Sequence, residues 1–162
     1  MSPSTIRLSA IVVAISAAVL TAQTAKPAAT LPPMPVMQKQ ATPQAVVTEH
    51  MDALNKCDWK RLMAQYPDDV EIFLPGGDVR KGRAKVGEMF TGFVSAPKDG
   101  GLCGLTFKAE STFVVGTTIN VQLVATAPFL AEPYRGADAY VTRDGLMAAQ
   151  VTTFDGAALK KK

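Results

Sequence analysis

The sequence has few of the residues from which common catalytic and metal sites are built. Its 162 residues include one histidine and two cysteines, too few for a structural zinc site of the Cys/His type. It also lacks the Gly-x-Ser-x-Gly, Walker and dinucleotide-binding patterns, so serine hydrolases, nucleotide hydrolases and Rossmann enzymes find no support. We therefore expect neither a metal ion nor a cofactor.

Aromatic residues are also few, and the net charge is small. Aromatic residues make up 7% of the chain, so the core must rely on aliphatic side chains and methionine. The formal net charge is +3, and the three C-terminal lysines, 160–162, account for all of it. A basic tail without a basic face does not predict a nucleic-acid partner. The 48% hydrophobic and 19% charged content is typical of a globular domain.

The first 25 residues have the pattern of a signal peptide. A short polar start with one positive charge precedes an apolar run over residues 8–20, which is shorter than the roughly 20 residues of a spanning helix. Cleavage after Ala22 or Ala25 would release a periplasmic or secreted protein with no membrane insertion, and an uncleaved anchor is the alternative. Residues 26–42 are rich in Pro and Ala, which predicts an extended linker.

Export affects the interpretation of the two cysteines. An oxidising compartment permits a disulfide between Cys57 and Cys103, whereas two buried free thiols are the alternative. A bridge requires the two Cα atoms to lie within about 7 Å of each other, and the sequence does not fix that distance. Both interpretations therefore stay open.

Residues 43–156 are predicted to form one α+β domain, and residues 157–162 a frayed basic tail. Thr42 and Pro43 begin a first helix that carries Val46, His50 and Leu54 on one stripe. A second short helix, a short hairpin over residues 70–81 and a third helix over about 83–94 follow. Strands are predicted over residues 105–115, 117–127, 134–142 and 146–154. This order predicts three helices packed on one face of a strongly bent antiparallel sheet, which forms a cone around an apolar pocket.

Several short segments resemble a known superfamily. They are VVTEHMDALN at 46–55 with Asp58-Trp59, YPDDV at 66–70, RKGR at 80–83, and the closing hairpin from Tyr134 to Asp155. In their order and spacing they are similar to the nuclear-transport-factor-2-like superfamily, which includes ketosteroid isomerase and the SnoaL-like polyketide cyclases. The resemblance spans about residues 43–155. It implies the cone-shaped fold, a small apolar ligand or substrate, and a homodimer formed through the sheet.

The same resemblance places three candidate residues. Ketosteroid isomerase has a tyrosine on the first helix, an aspartate base on the first hairpin and a second acid on the penultimate strand. In this sequence His50, Leu74 and Asp138 stand at those positions. Because leucine cannot accept a proton, the resemblance does not support steroid isomerisation by that route.

The candidate site residues follow from these positions and from the pocket-facing strand parity that the resemblance implies. His50 and Asp138 are the candidate catalytic residues, since an imidazole in an apolar pocket can hold or move a proton and a buried carboxyl has a raised pKa. For His50 a satisfied core histidine, and for Asp138 a structural carboxylate paired with Arg135 or Arg143, are the alternatives. Candidate ligand contacts share the predicted pocket: Leu74, Phe90, Tyr140, Gln150 and Phe154.

Three functional hypotheses remain at this point. The first is an exported module that binds a small, mostly apolar molecule in the cone. The second is a cofactor-free isomerase, lyase or cyclase in which protonated Asp138 stabilises an enolate while His50 shuttles the proton. The third is a protein-association module that uses the outer face of the sheet. The sequence leaves open whether the protein is an enzyme.

Overall fold

The computed structural model describes residues 31–162, and the predicted signal peptide lies outside them. Three helices come first in the chain: α1 (Pro43–Asn55), α2 (Trp59–Ala64) and α3 (Arg83–Phe93). Six strands complete the domain, in chain order β1 (Glu71–Phe73), β2 (Val79–Lys81), β3 (Thr106–Val115), β4 (Thr118–Thr126), β5 (Tyr134–Arg143) and β6 (Leu146–Thr152). Within these residues no helix is long and apolar enough to cross a membrane.

The strands form one open sheet in the order β2-β1-β6-β5-β4-β3. Neighbouring strands are antiparallel except for β1 and β6, which run parallel. Irregularities in register interrupt β3 between Ala109 and Ser111 and β5 between Val141 and Thr142, and such bulges bend a sheet. The predicted α+β cone with three N-terminal helices is therefore confirmed, with one parallel pair in its sheet.

Local sequence signals fix the starts of the first two helices. The hydroxyl of Thr42 accepts a hydrogen bond from the backbone N–H of Ala45, and Pro43 occupies the first helical turn. The carboxylate of Asp58 accepts one from the N–H of Arg61 in the same way. These caps satisfy backbone donors that a helix start leaves free. The stripe predicted for α1 is buried at Val46 and His50, facing the concave side of the sheet.

The closing hairpin joins β5 to β6 through Asp144 and Gly145. Both residues have positive φ, 53° and 77°, as a two-residue turn of this kind requires. The turn sets the register that pairs Tyr140 with Gln150 and Asp138 with Thr152. Because residues directly opposite one another in an antiparallel pair share a face, all four side chains point to the same side of the sheet.

A disulfide joins Cys57 to Cys103, whose Cα atoms are 5.6 Å apart. It ties the turn between α1 and α2 to the loop that leads into β3. The side chain of Asn55 reinforces the same junction, because it donates to the carbonyl of Phe107 and accepts from the N–H of Phe107. The bridged alternative for the two cysteines is therefore the one observed.

Both ends of the described chain lie against the domain. Part of the predicted linker, residues 31–40, contacts it: the side chain of Met34 lies against Gly87, and the backbone N–H of Gln40 donates to the carbonyl of Gly145. The prediction that the C-terminal tail frays is wrong. Leu159 is buried, and residues 160–162 exchange backbone hydrogen bonds with residues 129–131. The amino-acid composition of the tail does not indicate that its backbone pairs with residues 129–131.

Candidate functional site

A cavity of about 560 Å³ lies between the helices and the concave face of the sheet. Its mouth is bordered by exposed residues of three loops, including Gly76, Gly100 and Asp155, whereas its base is formed by buried side chains. The volume falls within the range of small-molecule sites. Hydrocarbon side chains make up most of its wall: Met51, Leu54, Ile72, Leu74, Met89, Phe90, Phe93, Leu102, Phe107, Leu123 and Phe154.

His50 lies at the base of this cavity and is fully buried. Its Nδ1 lies 3.3 Å from the hydroxyl of Tyr66, and its ring meets the ring of Tyr140 edge-on at 5.5 Å between centroids. Its Nε2 has no hydrogen-bond partner within residues 31–162. Burial lowers the pKa of His50 to about 3, so the imidazole is neutral at physiological pH.

The contact with Tyr66 indicates which nitrogen of His50 carries the proton. Burial raises the pKa of Tyr66 well above its ordinary value, so its hydroxyl keeps its hydrogen and needs an acceptor. If Tyr66 donates to Nδ1, the neutral ring must carry its proton on Nε2. The opposite tautomer would leave the tyrosine hydrogen and the Nε2 lone pair both without partners. His50 therefore carries its proton on Nε2, an atom that is buried and has no hydrogen-bond partner among residues 31–162.

Asp138 lies on β5, lines the same cavity as His50, and is held by several donors. The hydroxyls of Tyr140 and Thr152 donate to it at 2.9 and 2.6 Å, and Nε2 of Gln150 donates at 3.1 Å. Thr152 in turn accepts from the N–H of Phe154, which directs its own hydrogen toward Asp138. The predicted alternative of a pair with Arg135 or Arg143 does not occur, since those side chains bind Glu110 and Asp69.

Two opposing effects act on the acidity of Asp138. Burial raises the pKa of its carboxyl, while the hydrogen bonds from Thr152, Tyr140 and Gln150 act to lower it, and the net direction is upward. Because the surrounding groups are arranged as donors, they match the acceptor oxygens of a carboxylate. The network orients Asp138 and leaves it little capacity for a further partner.

Gln150 contributes the second unpartnered polar atom of the cavity. Its amide nitrogen donates to Asp138, which fixes the amide orientation because the reverse one would place its oxygen against the carboxyl. Its Oε1 is buried and finds no partner among residues 31–162. Two residues at the base of the cavity thus hold buried polar atoms without a partner, a donor on His50 and an acceptor on Gln150.

All seven residues singled out from the sequence line this cavity: His50, Leu74, Phe90, Asp138, Tyr140, Gln150 and Phe154. Sequence reasoning assigned no site role to Tyr66, which sets the tautomer of His50, or to Thr152, which binds Asp138. Thr152 shares strand parity with Gln150, and this was the signal that could have identified it. Tyr66 gave no such signal, because its contact with His50 joins a residue of α1 to one in the loop after α2.

The cavity wall is uncharged apart from two carboxyls. Of its lining residues described here, Asp138 lies at the base and Asp155 at the mouth, and none is lysine or arginine. Residues 31–162 hold no cluster of three His, Cys, Asp or Glu side chains with the geometry of a metal site. The arrangement can enclose an apolar molecule and contact it through a small number of hydrogen bonds.

Comparison with known families agrees with this architecture. The family model described as SnoaL-like domain matches residues 47–150, nearly two thirds of the chain. The chain therefore belongs to the SnoaL-like domain family. A search of the curated proteins finds no match to this sequence.

Solved structures show that the fold is shared by proteins described in different ways. A putative ketosteroid isomerase from Kribbella flavida is 20% identical, with a TM-score of 0.57, over 70% of this chain and 77% of that chain. A computationally designed 17-OHP binder is 21% identical, with a TM-score of 0.58, over 76% and 98%. A putative SnoaL-like polyketide cyclase from Shewanella putrefaciens is 14% identical, with a TM-score of 0.57, over 70% and 79%. These similarities establish the nuclear-transport-factor-2-like fold.

Proposed function

We propose that this SnoaL-like protein binds a small, mostly apolar molecule in its conical cavity. The observation that carries the proposal is an apolar cavity of about 560 Å³ whose base holds two buried, unpartnered polar atoms, His50 Nε2 and Gln150 Oε1. Unpaired buried polar groups cost roughly 1–3 kcal/mol each, so a protein without a partner for them is less stable than one with a ligand in place. The designed 17-OHP binder supports the idea that this fold can accommodate a ligand.

The protonation and hydrogen bonding of the polar side chains in the cavity favour ligand binding over catalysis. His50 is a poor proton shuttle, because burial holds its pKa near 3 and Tyr66 occupies its Nδ1. Leu74 borders the cavity where the resemblance to ketosteroid isomerase would put a base, and leucine cannot accept a proton. The isomerase, lyase or cyclase hypothesis thus depends on Asp138 alone, and Asp138 already accepts three side-chain hydrogen bonds.

We also propose that the protein acts outside the cytoplasm as a homodimer. The apolar run at residues 8–20 and the disulfide support export. The outer face of the sheet carries exposed apolar side chains at Phe73, Val151 and Phe113, which supports self-association; in their register row Ala139 and Asn120 lie between Val151 and Phe113. Sedimentation of the mature chain as a monomer would refute the proposed homodimer. Retention of the protein in the cytosolic fraction would refute the proposed export.

Ligand binding is tested by thermal unfolding with neutral apolar probes of increasing size, such as decalol and androstanol. A probe at about 100 times its Kd should stabilise the protein by roughly 2.7 kcal/mol, because only the folded state has the cavity. Replacing Leu74 with tryptophan should abolish the stabilisation, since the indole would fill part of the cavity.

A matched variant separates cavity filling from the general effect of an added tryptophan. Val115 is 78% exposed at the end of β3 and lies outside the cavity, so Val115→Trp should leave the stabilisation by each probe unchanged. Equal responses of the Leu74→Trp and Val115→Trp variants, or no response of the unmodified protein to any probe, would contradict cavity binding.

A further inference from the structure

The mouth of the cavity is formed largely by glycine. Most of the lining residues are buried or half-buried, and the exposed ones lie where the cavity opens to solvent. These exposed lining residues are Pro75, Gly76, Gly92, Gly100, Asp155 and Gly156. The glycines come from four separate segments: the loop between β1 and β2, helix α3, the loop before β3 and the segment after β6. At these places the backbone alone borders the opening.

Backbone geometry and packing account for some of these glycines but not for Gly92. Gly76 and Gly100 have φ values of 83° and 85°, a region that disfavours residues with a Cβ atom. At Gly156 a Cβ atom would contact Leu102 at 3.6 Å. Gly92 lies within α3 without a positive φ, and a Cβ atom added there would meet no atom within 4 Å. No conformational or steric requirement therefore explains this glycine.

Gly92 also interrupts a helix face that otherwise carries large side chains. It follows Met89 by three residues and Phe93 follows Met89 by four, so the three positions lie on one side of α3, and all of them line the cavity. Glycine destabilises a helix relative to alanine, because it loses more conformational freedom on folding. The other internal glycine of α3, Gly87, is explained by packing, since its Cβ position lies 2.8 Å from the side chain of Met34.

We propose that Gly92 determines which ligands the cavity accepts, by leaving the mouth open to molecules long enough to extend from the buried base to the rim. The specificity role rests on the proposed cavity-binding function. A side chain at position 92 would occupy space that the outer part of a long apolar ligand needs, whereas a small ligand held near the base would not reach it. The glycine thus lowers the stability of α3 and widens the range of ligands.

The stability of two glycine variants tests whether Gly92 has a structural role instead. Gly92→Ala should raise the thermal midpoint of the ligand-free protein by about 2 °C, because alanine is the better helix former and its methyl group meets no other atom. Gly87→Ala should lower the midpoint, because its methyl group would overlap Met34. A lower midpoint for Gly92→Ala would overturn the proposal, since the glycine would then be required for folding.

Equilibrium dialysis of the mature protein with androstanol and decalol tests the specificity role. Androstanol has four fused rings and decalol has two, so androstanol is the probe with the length to extend toward the mouth. Gly92→Phe should weaken androstanol binding about tenfold and decalol binding by less than about twofold, since a tenfold loss corresponds to roughly 55 Å² of apolar ligand surface left in water. Gly92→Leu should give a smaller decrease of the same kind, and it replaces the phenylalanine variant if that variant does not fold.

Ala84→Phe provides the matched control for these variants. Ala84 is exposed on the same helix and lies outside the cavity lining, so a phenyl ring added there should preserve the parent ratio of androstanol to decalol affinity. Equal decreases in this ratio for Ala84→Phe and Gly92→Phe would overturn the proposal, because the effect would then not come from the mouth.

Failure of the specificity role and failure of cavity binding give different results. If neither androstanol nor decalol binds the parent protein, the cavity-binding function is refuted, and the specificity role with it. If decalol alone binds, or if both probes bind and the Gly92→Leu and Gly92→Phe variants keep the parent ratio, cavity binding stands and the role of Gly92 is refuted.

Discussion

Replacing both Cys57 and Cys103 with serine should lower the free energy of unfolding by about 4 kcal/mol. In the chain-entropy model this is the value for a loop of 46 residues, because the bridge restricts the unfolded chain more than the folded one. The bridge joins the turn after α1 to the loop that borders the cavity at Gly100 and Leu102. Urea denaturation of the variant and of the oxidised parent measures the difference.

Reduction of the parent protein provides the control for the serine substitutions. Dithiothreitol should shift the parent midpoint to that of the double variant and leave the variant unchanged. The reduced domain should still fold, because the two hydrogen bonds between Asn55 and Phe107 hold the same junction. Identical midpoints for the oxidised parent and the double variant would show that the bridge contributes no stability.

Acidification should destabilise the protein through His50 at a rate of about 1.4 kcal/mol per pH unit. The pKa of His50 is about 3 in the folded protein and about 6.5 in an unfolded chain, so the unfolded state takes up the proton first. The stability associated with neutral His50 is complete above about pH 6.5 and is lost as the pH falls toward 3. Chemical denaturation at several pH values measures this dependence.

A His50→Phe variant isolates the contribution of this residue. Asp138 acts in the opposite direction, since its pKa is raised on folding and its protonation favours the folded state as the pH falls. Because Asp138 is present in both proteins, subtracting the variant curve from the parent curve leaves the His50 contribution. Parallel curves between pH 6.5 and pH 4 would mean that His50 is not buried in the neutral form.

Much of the fold could be predicted because its signals are local. Thr42 with Pro43, Asp58, and Asp144 with Gly145 each act through backbone geometry within a few residues, so their effects can be recognised in the sequence. Strand alternation likewise placed Asp138 and Tyr140 on one face of β5, whereas the pocket-facing parity of Tyr140 and Gln150 came from the resemblance. Their membership of one cavity wall followed once the resemblance supplied the order of the strands.

Other features depended on contacts that no local pattern encodes. The hydrogen bond between Tyr66 and His50 arises from the packing of α1 against the segment after α2, and it alone determines the tautomer of the imidazole. The contact of Met34 with Gly87 and the backbone pairing of the C-terminal tail similarly join segments distant in sequence. Composition predicted a linker and a frayed end at these places because it carries no information about such partners.

The central claim is that His50 is buried at the base of the cavity as a neutral imidazole with its proton on Nε2. It is tested most directly by nitrogen-15 NMR of the imidazole in untagged protein, where the single histidine gives one unambiguous set of signals. We predict a neutral ring protonated at Nε2 from pH 8 down to pH 5. A ring protonated at Nδ1, or one that takes up a second proton above pH 5, would contradict the account.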